Sequence, residues 1–244
     1  MRIDGRSADQ LRPFTIEAGF IGSALGSALV TAGRTRVICT ASQEAKAPGW
    51  LTRGGWVTAE YAMLPGAVSP RGRREASGRD KEIQRLIGRS LRAAVNLEGL
   101  VGVAGPISLV VDCDVIEADG GTRTAAITGG FVALALAVRA LLRQGTLVAD
   151  PRLTPVAAVS VGLVQLGDRG PAPLLDLAYA EDSRAAVDLN VVMQGGGLVE
   201  VQGTGERGSF SRAELNAMLD LAEGGIRSLY EVQQAALLAG GGGA

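Results

Sequence analysis

The chain has 244 residues, of which 47% are hydrophobic, and its 24 basic and 25 acidic side chains give a net charge of −1. This composition supports a substantial hydrophobic core, and the near-neutral charge restricts any nucleic-acid site to a local cluster of basic residues. The sequence contains no histidine, which excludes Ser-His-Asp triads, Cys-His pairs and histidine-ligated zinc.

Strands dominate the first third of the chain. Short apolar patterns predict strands at 14–20, 26–31, 36–41 and 56–64. Gly33-Arg34 reads as a hairpin turn, and Pro65-Gly66 ends the fourth strand. Apolar residues at helical spacing then predict a helix over 79–97.

A similar order follows in the rest of the chain. A strand at 107–115 precedes a helix from 122 to about 142, which is apolar on nearly all sides and should therefore be central. Strands at 156–164, 174–179, 187–193 and 198–202 lead to a last amphipathic helix over 211–238, with Ser211 and Glu214 as its capping box. Strands followed by helices thus occur twice. This pattern indicates an α+β fold, with mixed sheets packed on helices in one domain (1–239) and a flexible Gly-rich tail at 240–244.

Several features predict where the protein resides. Cys39 and Cys113 each lie in an apolar run, which favours buried free thiols in a reducing compartment. The N-terminal segment is polar and does not resemble a signal peptide. The longest apolar stretch, 131–142, is interrupted by Arg139 and is too short to span a bilayer. We therefore expect a cytoplasmic protein without a membrane partner.

An anion site is predicted at the start of the apolar helix. The run Asp119-Gly120-Gly121-Thr122-Arg123-Thr124 combines glycines, which allow close backbone approach, with the unpaired first amides of a helix. Thr122 adds a hydroxyl and Arg123 adds a charged fork of donors, a combination that suits a free phosphate. The alternative is an ordinary loop with a threonine cap.

A basic stretch at 69–92 is the candidate RNA-binding region. It holds eight basic and three acidic side chains in an otherwise neutral protein. Its loop arginines are placed to grip an RNA backbone, and three helix arginines share one face. The predicted RNA-binding residues are Arg71, Arg73, Arg74, Arg85, Arg89 and Arg92. The alternatives are a solvated surface or contacts with a neighbouring subunit.

Two carboxylates form the third candidate. Asp188 alternates with apolar neighbours on a predicted strand, and Asp182 is expected to end the strand before it, so a hairpin would bring the two together. Paired carboxylates beside a phosphate site suit Mg²⁺. The alternative is turn chemistry, because aspartate favours strand ends.

Several segments of the chain resemble the ribonuclease PH family. The likeness runs from Asp4 to about Leu237, and its motifs occur in order at 55–65, 82–93, 112–124, 181–193 and 199–204. The loops at 64–79 and 43–56 are shorter than is usual for that family, and Gly205 stands where alanine is usual.

The resemblance implies the ribonuclease PH fold and a phosphate-dependent 3′→5′ exoribonuclease. Such an enzyme trims the 3′ ends of tRNA precursors, releases nucleoside diphosphates and also runs in reverse. It implies a homohexamer built as a trimer of dimers, with Mg²⁺ as cofactor and inorganic phosphate as co-substrate. The implied roles are phosphate binding by Arg79, Gly121, Thr122 and Arg123, and catalysis and metal binding by Asp182 and Asp188.

Two rival functions remain open at this level. One is a noncatalytic ring subunit that binds RNA, and the other is a metal-dependent hydrolytic nuclease that releases monophosphates. For the enzyme itself, Asp182 is either a metal ligand or the acid that protonates the departing 3′ oxygen.

Overall fold

The computed structural model describes residues 2–75, 77–167 and 170–240. The first sheet–helix unit comprises β1 (Phe14–Ala18), β2 (Gly26–Ala32), β3 (Thr35–Gln43), β4 (Trp56–Met63), α1 (Gly78–Ala93), the short hairpin of β5 (Val101–Gly102) and β6 (Gly105–Pro106), β7 (Ser108–Glu117) and α2 (Thr122–Arg143). The second unit comprises β8 (Val156–Gln165), β9 (Pro171–Leu175), α3 (Tyr179–Asp182), β10 (Val187–Gln194), β11 (Gly197–Gly205) and α4 (Arg212–Ala239).

The strands form two main sheets. The first has the order β1-β2-β3-β7-β4 and is antiparallel except for the parallel pair β4 and β7. The second has the order β11-β10-β8-β9 and is antiparallel throughout. The predicted α+β fold with strand–helix order repeated in two units is confirmed.

Helix α2 is packed between the two units. It contacts β2, β3 and β7 of the first sheet and β8 of the second, and 16 of its 22 residues are buried. The first sheet approaches very closely, because a Cβ added to Gly129 would lie 2.2 Å from Cγ2 of Val30. Of the helices in the described part of the chain, α2 alone is long and apolar enough to cross a membrane. Some 89% of the most apolar 18-residue stretch of α2 is buried inside the protein, as in a core helix.

The helix boundaries follow local signals. Ser77 and Asp80 form a capping box at the start of α1, and Ser211 and Glu214 form the predicted one at the start of α4. Gly240 is the C-cap of α4. Residues 241–244 lie outside the described residues.

One strand prediction is wrong. The sequence predicted a strand over 174–179, but β9 ends at Leu175 and the chain then turns into α3. Asp176 has a φ of 52°, a left-handed conformation that a continuing strand does not allow. Asp182 therefore ends a short helix and does not end a strand, so the pair with Asp188 is not a simple hairpin pair.

The two cysteines occupy facing positions in the first sheet. Cys39 on β3 is directly opposite Cys113 on β7, and both thiols are buried and free. The prediction of buried free thiols is confirmed.

Candidate active site

The predicted anion site lies where the turn after β7 enters α2. Gly120 and Gly121 have φ values of 79° and 67°, which favour glycine. A Cβ on Gly120 would lie 2.6 Å from the carbonyl oxygen of Leu177, so the turn also packs closely on the second unit. Gly121 is the N-cap of α2 and provides no side-chain cap, which leaves the first amides of a 22-residue helix available to an anion.

Thr122 does not cap the helix. It is the first residue of α2, and its hydroxyl lies 2.8 Å from the hydroxyl of Tyr61 on β4. Desolvation by burial raises the pKa of Tyr61, so its hydroxyl stays protonated near neutral pH. The ordinary loop with a threonine cap is therefore not what the structure shows.

Two arginines flank this turn. Arg123 is the second residue of α2, and its Nη1 donates to Oε1 of Gln202 on β11 at 3.0 Å. Gln202 donates in turn to Glu82 on α1, which fixes the orientation of its amide. Arg79 is the second residue of α1, is exposed, and lines a cavity together with Arg123.

The two carboxylates come from the second unit. Asp182 is the last residue of α3, and Asp188 is the second residue of β10. Burial raises the pKa of both, and the nearby charge of Asp182 adds to the effect on Asp188, whose pKa reaches about 6. Arg79 and Arg123 act in the opposite direction on both. The effect of desolvation on the pKa thus outweighs that of the two arginines, so both carboxyls bind a proton more readily than a free aspartate does.

The arginines and carboxylates line two adjoining cavities. A polar one of about 520 Å³ contains Glu82, Gln202, Glu206 and Arg207, and a more apolar one of about 410 Å³ contains Tyr61, Met63, Val68 and Tyr179. The residues common to both are Arg79, Arg123, Asp182, Asp188 and Asn190. The structure therefore brings together all six residues predicted for phosphate binding and catalysis, with Gly121 and Thr122 in the wall of the smaller cavity.

The predicted RNA-binding arginines lie outside these two cavities. Those at 71, 73, 74 and 85 are exposed. Arg89 makes a forked pair with Glu200 on β11, with N–O distances of 2.9 and 2.6 Å. Arg92 donates to the carbonyl oxygen of Val57 and stacks 4.4 Å over the ring of Trp56. The helix arginines at 89 and 92 thus have partners within the chain, and RNA contact by all six stays a prediction.

The acidic pair suits a magnesium ion, which needs few protein ligands, better than a metal that side chains enclose completely. In the described residues, no group of three or more His, Cys, Asp or Glu side chains is placed to enclose a metal. Mg²⁺ commonly uses one or two carboxylates, keeps several waters and takes its other ligands from substrate phosphates. Asp182 and Asp188 line one cavity together with the turn of Gly120 and Gly121, and this pair of carboxylates matches that donor set.

Sequence reasoning assigned no role to some residues of the site. Gln202 lies within the segment 199–204 that carries the family resemblance, so a signal was present. Tyr61 lies in another such segment, 55–65. Arg12, which bonds the carbonyl oxygen of Asp119 at 2.6 Å, had no local signal, because its partners are more than a hundred residues away.

Comparisons with known proteins identify the family of this chain. Residues 10–140 match domain 1 of the 3′ exoribonuclease family, and residues 154–225 match domain 2. Ribonuclease PH of Corynebacterium efficiens is 54% identical over 97% of this chain and 96% of that protein. Ribonuclease PH of Bacillus subtilis is 52% identical over 97% of each chain.

Solved structures share the fold at lower identity. The Archaeoglobus fulgidus exosome with RNA bound to the active site matches with a TM-score of 0.80 at 24% identity, over 94% of this chain and 91% of that one. Rice Rrp46 matches with a TM-score of 0.77 at 18% identity, over 97% of this chain and all of that one.

The two sheets share one cavity with a glycine turn and an acidic pair. The matches to both domain models show that this protein belongs to the 3′ exoribonuclease family. Its curated relatives are ribonuclease PH enzymes that match over nearly the full length of both proteins. The predicted ribonuclease PH family and fold are confirmed, as is a phosphorolytic 3′→5′ exoribonuclease activity. Processing of tRNA 3′ ends is the known role of this family.

Proposed function

We propose that this chain trims the 3′ ends of tRNA precursors at the cavity between its two units, using inorganic phosphate as the attacking group. The observation that carries this assignment is the convergence of Arg79 and Arg123 from the first unit with Asp182 and Asp188 from the second. Positive groups can hold phosphate where paired carboxylates face the bond to be cleaved.

The phosphate is held by the start of α2. Arg79, Arg123, the hydroxyl of Thr122 and the amides that follow Gly121 orient it in line with the terminal phosphodiester. Phosphate is already anionic near neutral pH, so the lack of histidine in this chain is no obstacle. Its oxygen bonds to the terminal phosphorus, and the bond from phosphorus to the preceding 3′ oxygen breaks. The products are a nucleoside diphosphate and an RNA with a new 3′ hydroxyl.

Asp182 and Asp188 are proposed to hold Mg²⁺, which when bound offsets negative charge on the phosphates. Burial raises the pKa of Asp182, and this direction supports the alternative role of Asp182 as the acid that protonates the departing 3′ oxygen.

The smaller cavity suits the terminal nucleobase. Its wall includes Tyr61, Met63, Val68 and Tyr179, and Tyr179, the first residue of α3, is 63% exposed. Aromatic rings bind bases of any sequence by stacking. The polar cavity then remains for phosphate and the ribose–phosphate backbone.

The rest of the RNA is proposed to follow exposed basic residues outside the cavities. Arg71, Arg73 and Arg74 lie on the loop before α1, and Arg85 lies on that helix. Exposed arginines contact phosphates without reading sequence. This placement is consistent with an enzyme that removes nucleotides one after another.

We further propose a homohexamer built as a trimer of dimers and located in the cytoplasm. Apolar side chains left exposed on the single chain, among them Trp50, Val103 and Val148, are at least 62% exposed and would gain from burial between subunits. Sedimentation should give a mass about six times that of the 25.0 kDa chain. The two free buried thiols fit a reducing compartment.

One assay tests the reaction. A tRNA with extra 3′ nucleotides is incubated with the enzyme and Mg²⁺, with and without phosphate, and the released nucleotides are separated. We expect nucleoside diphosphates that appear only with phosphate. Monophosphates released without phosphate would identify a hydrolytic nuclease, and an RNA that is bound but not shortened would identify a noncatalytic subunit.

A further inference from the structure

Three arginines near the N-terminus are buried against the active site and have no part in the reaction described above. Arg2, Arg6 and Arg12 lie beside two buried carboxylates, Asp176 and Glu181, and all five side chains are between 1% and 7% exposed. Buried charges are costly unless they are paired and hydrogen-bonded. Every one of these groups is within an ion pair, so the cluster fixes the chain segments that carry it.

Arg12 holds the turn of Asp119, Gly120 and Gly121, which is proposed to bind phosphate and is called the phosphate turn below. Its guanidinium donates to the two carboxylate oxygens of Asp176, at 3.0 and 2.6 Å. It also donates to the carbonyl oxygens of Asp119 and Gly120, at 2.6 and 3.4 Å. The next residue, Gly121, is the N-cap of α2. Arg12 therefore sets the backbone whose amides are proposed to receive phosphate.

Arg2 holds the carboxylate side. It donates to both oxygens of Glu181, at 2.8 and 2.7 Å, and to the carbonyl oxygens of Leu175 and Asp176, at 2.8 and 3.0 Å. Glu181 is the neighbour of Asp182 in α3, a helix of only four residues. A helix this short is not stable by itself, so its orientation depends on such anchors.

The two anchored segments touch each other directly. The backbone N–H of Tyr179, at the start of α3, donates to the carbonyl oxygen of Asp119 at 3.2 Å. Arg6 lies between the anchors, where it donates to the carbonyl oxygen of Asp176 at 3.0 Å and lies 3.5 Å from Glu181. The segment 2–12 thus spans the seam between the phosphate turn and α3.

We propose that Arg12 and Arg2 are positioning residues of the phosphorolytic site and that their effects are separable. Arg12 sets the turn that binds phosphate, and Arg2 sets the helix that carries Asp182. This inference rests on the proposed function of the same cavity.

Lysine variants test it, because lysine keeps the positive charge but loses the forked donors. We expect Arg12→Lys to weaken phosphate binding about tenfold, and Arg2→Lys to lower kcat about tenfold with phosphate affinity unchanged. Phosphate affinity is measured by titration calorimetry without RNA, and kcat is measured with RNA at saturating phosphate. Arg34→Lys is the matched control, because Arg34 forms an exposed pair with Glu117 and should change neither quantity.

Losses of both quantities in both variants, in proportion to a lowered melting temperature, would show a merely structural cluster and overturn the proposal. Unchanged binding and kcat would overturn it as well. A wild-type protein that binds phosphate but releases no diphosphates would refute the proposed function instead, while the effect of Arg12→Lys on binding could still be read. If a lysine variant does not fold, Asp176→Asn and Glu181→Gln carry the same expected split.

Discussion

The two sheet–helix units bring opposite charges to one cavity. The first unit provides Arg79 from α1 and Arg123 from the start of α2, and the second provides Asp182 from α3 and Asp188 from β10. The first unit thus offers groups that bind an anion, and the second offers carboxylates that bind a cation or a proton. Neither unit alone contains the proposed site, so the contact between them is a functional part of the molecule.

The largest effect on activity should come from removing a positive group that the first unit provides. Arg123→Ala deletes a charged donor that faces the proposed phosphate, and we expect kcat/KM for phosphate to fall about a thousandfold. Among the described residues its one side-chain hydrogen bond goes to the uncharged amide of Gln202, so the melting temperature should change by only a few degrees. The assay is diphosphate release at several phosphate concentrations. Activity equal to that of the wild type would remove Arg123 from the phosphate site.

A smaller effect should distinguish the binding of RNA from the binding of phosphate. Tyr179→Ala removes an exposed ring from the wall of the smaller cavity, and loss of one stacked base costs about 1–3 kcal/mol. We expect the KM for RNA to rise about five- to 160-fold and the KM for phosphate to stay the same. Tyr179→Phe is the control, since it keeps the ring and should behave as the wild type. A rise in the KM for phosphate alone would place the base elsewhere.

The smallest effect concerns how Asp188, a negative group of the second unit, changes the stability of the folded protein. Burial and Asp182 raise the pKa of Asp188 to about 6, so the folded state binds this proton more tightly than the unfolded state does. Its stabilising contribution is present below the unfolded pKa of about 4 and is lost as the pH rises through about 6. Asp188→Asn should therefore stabilise the protein above pH 7 by about 1–2 kcal/mol, although it loses activity.

Melting temperatures at pH 4.5 and pH 8, measured at one protein concentration without Mg²⁺ or phosphate, check this expectation. The advantage of Asp188→Asn over the wild type should be clear at the higher pH and should shrink at the lower one. Asp220→Asn, on α4 away from the site, is a control for the loss of one charge. An advantage that does not depend on pH would show that Asp188 is not the titrating group.

Features encoded locally could be predicted from the sequence. The capping box of Ser211 and Glu214, the hairpin at Gly33-Arg34 and the apolar helix α2 all depend on neighbouring residues, and the structure contains all three. The strand predicted over 174–179 failed because the apolar run continues through Leu177, while the left-handed Asp176 is held by Arg12 from a distant part of the chain.

The site itself was predicted in part. The glycine-threonine-arginine turn has a local pattern, and Asp182 and Asp188 were proposed from the strand pattern and then again from the family resemblance. The anchoring roles of Arg2 and Arg12 were missed, because their carboxylate partners are 164 to 179 residues away and their spacing follows no periodic pattern. Arg92 was predicted to contact RNA, but its position over Trp56 depends on how α1 packs on β4, which the sequence does not reveal.

The burial of α2 between both units has a consequence for how the protein is made. While the chain is being synthesised, α2 is complete before β8 and α4, which cover its remaining apolar surface. In a nascent chain of about 150 residues, the apolar helix α2 can therefore pack on the first sheet, but the face that the second sheet covers is still exposed. Folding to the final form has to await the last helix, and truncation within α4 should yield aggregates instead of a smaller working enzyme.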